Sequence, residues 1–165
     1  MRDRGHYAIE GPADGDVLHP VRHPAAQLRH LHLVTAHDVE ALRNALAKDE
    51  LPPDFAAKLA RLADESLIHR CVEQNCHLFI ALLLAAKDGA LREATPAQRE
   101  RLLRVLAYVR KDDDAIPDYK PDGFIDDQQE VRAAMTELSP LLVAFKAWRL
   151  RNQVPNLWSS LVTGQ

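Results

Sequence analysis

Nine carboxylates fall between Asp112 and Glu137, opposed only by Lys120 and Arg132. Oxygen-rich clusters of this kind suit hard divalent cations such as Mg²⁺ or Ca²⁺. A water bound to such a cation could act as the nucleophile in a hydrolytic step. The candidate ligands are Asp114, Asp118, Asp126 and Asp127. The plainer alternative is structural. Asp126 and Asp127 precede a helical pattern, where exposed N–H groups and the positive end of the helix dipole favour acids. Gln129 or Glu130 would complete a capping box there. Asp112, Asp113 and Asp114 instead follow a basic helix, at the end where negative charge is disfavoured by about 0.3–1 kcal/mol each. They need a counter-cation, and an arginine or lysine from a neighbouring helix is the preferred source over a metal.

The calcium-loop pattern D-x-[DN]-x-[DN]-G-x5-E fits this segment incompletely. Asp118, Asp122 and Gly123 match its first, fifth and sixth positions, and Ile125 and Asp126 suit the eighth and ninth. Lys120 puts a cation where an oxygen ligand belongs, and Gln129 replaces the bidentate carboxylate. Both changes weaken Ca²⁺ binding directly. Pro117 and Pro121 restrict the residues before them and stiffen the connection, and Gly123 allows a positive φ near its exit.

Other chemistries find less support. Six of the eight histidines lie in the first 37 residues, among them His19 and His23 at helical i,i+4 spacing. Pro20 and Pro24 interrupt any helix that would bring that pair together. His69, Cys71, Cys76 and His77 share one helical stretch but project to different faces, so buried, inert cysteines are expected. No GxSxG, HExxH or Cys–His arrangement is present.

The elements that must position the acids are helical. Only Gly89 and Gly123 occur between positions 16 and 163, too few for the turns of a sandwich or barrel or for a Gly-rich phosphate loop. Thr35 reads as an N-cap before the stripe Val39, Leu42, Ala45 and Leu46. Leu51-Pro52-Pro53-Asp54 opens a second helix bearing Phe55, Leu59 and Leu62. Leu67–Lys87 is apolar on most sides and should be the central helix, ended by Gly89 in a left-handed cap. Thr95-Pro96-Ala97-Gln98 is a capping box with proline at the first helical position. The next two helices carry Val131, Ala134, Met135 and Leu138, then Leu141, Phe145 and Trp148 after Ser139-Pro140. Leu31 and Leu33, alternating with His30 and His32, keep a short strand open.

The fold expected is all-α, a bundle of about five or six helices. An irregular arm covers residues 1–22 and a single helical domain residues 23–165. The chain has 165 residues and a formal net charge of −3, which gives no general reason to expect nucleic-acid binding. The nine-residue apolar run Leu78–Ala86 is far short of the roughly 20 residues that span a bilayer. With no apolar signal-peptide core near Met1, a cytoplasmic setting is the expectation.

Tyr108, Asp114, Ile116-Pro117-Asp118, Pro121, Gly123 and Asp126-Asp127 together resemble the signature of the YkvA-like family of small helical domains of unknown function. The likeness covers residues 100–138. It implies a shared helical fold and a common cluster of Asp114, Asp118, Asp126 and Asp127, but no particular reaction. The functional expectation is a non-catalytic accessory or regulatory protein acting through an unidentified protein partner, with no obligatory cofactor. The alternative is a divalent-metal-dependent hydrolase. In the interaction reading, surface bases such as Arg101 and Arg104 contact the partner.

Overall fold

A computed structural model describes residues 31–113, 116–118, 120 and 122–152. Six helices are seen among them: α1 Ala36–Ala47, α2 Pro53–Glu65, α3 Leu67–Lys87, α4 Pro96–Arg110, α5 Ile125–Glu137 and α6 Ser139–Arg151. The architecture is all-helical, as expected. The expected arm over 1–22, the pair His19 and His23, and Asp114 lie outside the described residues. The possible strand at Leu31 and Leu33 is instead a single 3₁₀ turn over Leu31–Leu33.

Local chemistry fixes several helix ends. Thr35 Oγ1 accepts from the Asp38 N–H, and the Asp38 carboxylate accepts from the Thr35 N–H, closing a capping box on α1. Thr95 and Gln98 repeat the device on α4, where Pro96 has no N–H to leave unsatisfied. Ser66 ends α2 and caps α3 through the His69 N–H. Gly89 takes the left-handed conformation that stops α3, with φ of +71°.

The core joins Phe55, Leu59 and Leu62 of α2, Val72 to Ala86 of α3, and the inward face of α4. α3 is the central helix only from Val72 onward, because Leu67 and Ile68 in its first turn are exposed. Phe145 of α6 is buried and stacks on Trp148, with centroids 5.8 Å apart. α2, α3, α4 and α5 therefore enclose one point where the α4–α5 connection returns to the bundle.

Candidate functional site

That point is occupied by a lysine. Lys58 lies on the apolar face of α2, three residues after Phe55 and four before Leu62, and its side chain is only 1% exposed. Burying an ammonium without partners is prohibitively costly, so its position depends on what surrounds Nζ. Nζ lies 2.8 Å from Asp118 Oδ2 and 3.1 Å from Asp127 Oδ2. It also donates to the Lys111 carbonyl at 2.6 Å. That carbonyl belongs to the residue ending α4, so a side chain from α2 satisfies part of the α4 C-terminus. The Phe124 ring packs beside the ammonium, with its centroid 5.6 Å from Nζ, and His69 meets that ring edge-on.

A second polar knot lies alongside. Tyr108, buried on α4, donates its hydroxyl to Asp126 Oδ2 at 2.6 Å. The Ile116 N–H donates to the same oxygen at 3.1 Å. Asp126, Asp127 and Glu130 are all buried in the first turns of α5. The capping role expected for Asp126 and Asp127 is not what they do. Phe124 precedes α5, and no side chain caps it. Both stand in the first turn of α5, where the helix dipole favours them as expected, but their side chains reach inward to Tyr108 and Lys58. Ser139 is the first residue of α6, which Leu138 precedes without a side-chain cap.

Gly123 serves by size rather than by dihedral angle. It does not take positive φ; a Cβ there would lie 2.6 Å from Asp118 Cα and 2.7 Å from the Pro117 carbonyl oxygen. Backbone contact this close holds Asp118 against Lys58. The Asp118 N–H also donates to the Asp112 carbonyl at 3.2 Å.

The electrostatics follow from two carboxylates sharing one ammonium. Burial works against the charged form of Lys58, but the Asp127 and Asp118 carboxylates outweigh it and raise its pKa above the ordinary value. Asp118 has only a share of that cation. Burial raises its pKa to about 6, the Asp112 carboxylate adds to the rise, and Lys58 only partly offsets it. Burial also drives the Cys76 thiol well above its usual range, with Asp127 contributing. Neither an amine nor a thiolate nucleophile is therefore poised here at neutral pH.

Asp118 and Asp127 are thus brought together by Lys58, with Asp126 in the adjoining knot. Asp112 meets Arg61 of α2 at 3.0 Å and Lys58 at 4.0 Å, so a neighbouring helix does supply its counter-charge. Among the described residues, no group of three or more His, Cys, Asp and Glu is arranged to hold a metal ion. Elsewhere, His77 Nε2 lies 2.8 Å from Glu73 Oε1, and of the two cysteines Cys76 is buried as expected whereas Cys71 is exposed. Sequence reading missed Lys58, although a lysine at helical spacing inside the stripe Phe55, Leu59 and Leu62 was a usable signal.

The basic face expected on α4 is largely engaged with the protein's own acids. Arg101 pairs with Glu137 at 2.7 Å, Arg110 with Asp54 at 2.8 Å and Lys111 with Asp38 at 2.9 Å. Arg101, with its side chain 11% exposed, is not the surface base that the sequence suggested. No helix among the described residues is long and apolar enough to cross a membrane. No protein-family model, curated protein or solved structure gives a significant match to the chain.

Proposed function

We infer that this protein is a non-catalytic accessory or regulatory module that acts by binding another protein. The observation that carries the reading is the position of Lys58 Nζ. Its ammonium fills the space between Asp118 and Asp127 and ties the cluster to α4, making the chemistry-bearing acids a structural joint. Most of the described residues shared with the YkvA-like pattern have parts in that joint. Tyr108 and Ile116 hold Asp126, Asp118 and Asp127 hold Lys58, and Gly123 admits the backbone of Asp118. Such a motif would preserve a fold rather than a reaction.

The surface offered to a partner is the outer face of α6. Val143 and Leu150, seven residues apart, lie exposed on that helix with Lys146 and Arg151 on the same exposed surface. Exposed apolar side chains beside basic ones suit a protein partner with an apolar, acidic face. Affinity capture with wild type and with Val143→Asp/Leu150→Asp should recover a specific partner only with wild type, at unchanged unfolding midpoints. Equal recovery by both would remove α6 as the surface, and no specific partner at native concentration would overturn the reading.

One observation favours the metal-dependent alternative. Asp126 Oδ1 is buried with no hydrogen-bond partner among the described residues, and Asp118, Asp127 and Glu130 add further buried carboxylates. An additional cation would offset that excess of negative charge. On that reading Mg²⁺, Mn²⁺ or Ca²⁺ raises the unfolding temperature, and Asp118→Asn abolishes the rise.

A further inference from the structure

Away from the Lys58 joint, a cavity of about 460 Å³ opens between α1, α3 and α4. Its walls are Leu46, Leu83 and Leu103, each mostly buried, with Ala47 at the edge. Its rim carries Arg43, Lys87 and Arg99 against a single acid, Glu100. This combination of apolar walls and a few polar groups on one side, at this volume, is typical of small-molecule sites.

The rim cations are not equivalent. Arg43 is held by Glu40 and donates to Glu100 Oε2 at 2.6 Å. Lys87 donates to Asp49 Oδ1 at 2.6 Å and also lies near Asp88. Arg99, half-buried on the second turn of α4, has no side-chain hydrogen bond or ion pair among the described residues. One guanidinium-bearing side chain lining this largely apolar cavity is therefore left without a protein partner among the described residues. Glu100 and Asp49, the acids beside the rim, are instead paired with Arg43 and Lys87.

We propose that this cavity binds an aliphatic carboxylate, its chain against Leu46, Leu83 and Leu103 and its head group on Arg99. Guanidinium and carboxylate match in planar geometry, and the bond between them is charge-assisted. A single free guanidinium calls for a single negative charge. A doubly charged phosphate ester would leave one charge facing Glu100. This site is separate from the α6 surface and from the Lys58 joint, so it stands whether or not the interaction reading holds.

The test is calorimetric titration of the full chain with decanoate, with decanol and acetate as controls. Decanoate should bind one-to-one and saturably, whereas decanol and acetate each bind at least about tenfold more weakly. Arg99→Gln should weaken decanoate by about tenfold or more and leave decanol unchanged. Ala47→Phe, which fills the mouth without opening the core, should abolish binding of decanoate while the unfolding midpoint is kept. Decanol binding as tightly as decanoate, equal affinities in wild type and Arg99→Gln, or no saturable decanoate binding would each overturn the proposal.

Discussion

Asp38 and Asp118 are the same residue type paired with the same residue type, and they respond to the fold in opposite directions. Asp38, at the start of α1, is partly exposed and has Lys111 to itself at 2.9 Å. Burial is the largest single influence and pushes its pKa up, but Lys111 and the Thr35 N–H and hydroxyl together outweigh it, and the pKa falls to about 2. Asp118 is sequestered, must share Lys58 with Asp127, and has Asp112 close by, and its pKa rises to about 6. The difference is one of accounting for cations per acid and of access to water. The outer pairs Asp38–Lys111, Asp54–Arg110 and Asp112–Arg61 reinforce contacts that the helices already make. The inner cluster determines where the α4–α5 connection can lie.

The largest effect should come from removing the shared cation. Lys58→Met leaves Asp118 and Asp127 buried without it and should cost about 3–5 kcal/mol in urea unfolding. Adding Asp118→Asn and Asp127→Asn to Lys58→Met should recover a substantial part, because two neutral amides need no counter-charge. By contrast Arg110→Met, which breaks an outer pair, should cost less than about 1 kcal/mol. If both lysine and arginine variants lose the same small amount, the inner cluster is no more structural than the outer pairs.

The next two changes test how the inner cluster is held. Tyr108→Phe removes a buried donor from Asp126 and should cost about 1.5–3 kcal/mol, again read from urea midpoints. Gly123→Ala forces a Cβ into the Asp118 backbone and should cost about 1–3 kcal/mol. It should also weaken amide-exchange protection in the connection, whereas Gly89→Ala, where open space surrounds the site, should act only through its φ of +71°.

The outer features were legible in the sequence and the inner ones were not, for a physical reason. Capping boxes at Thr35 and Thr95 are fixed by residues three apart, so spacing alone reveals them. The stripes through Val39, Leu42 and Leu46, or Val131 and Ala134, likewise repeat within one helix. The Lys58 cluster joins α2, the end of α4, the connection and the start of α5, across separations of 53 to 69 positions. Nothing local distinguishes Lys58 from a lysine that stretches its head group to water. Asp126 and Asp127 were misleading because acids near a helix start have a sufficient local explanation in the dipole. Their burial beside Tyr108 and Lys58 adds a second.

The dependence on pH separates the two regions most cleanly, by its sign. Asp118 has a folded pKa of about 6 against an ordinary 3.8, so the folded state holds its proton more tightly than the unfolded chain. Its contribution to stability therefore grows as pH falls from 7 through 6 and is complete below about 4. Asp38 has a folded pKa of about 2 against the same 3.8, so its contribution is present above about 4 and is lost as pH falls towards 2. The two together contribute most near pH 4, while His77, whose pKa burial lowers from its ordinary 6.5, opposes the gain as pH falls through that value. The part of the urea midpoint that these two aspartates supply should rise from pH 7 to pH 4 and fall from pH 4 to pH 2. Asp118→Asn should flatten the rise between pH 7 and 4, while Asp38→Asn should soften the fall between pH 4 and 2. If Asp118→Asn leaves the change in midpoint between pH 7 and 4 the same as in wild type, Lys58 holds Asp118 as firmly as Lys111 holds Asp38, and the contrast between a shared and an undivided cation fails.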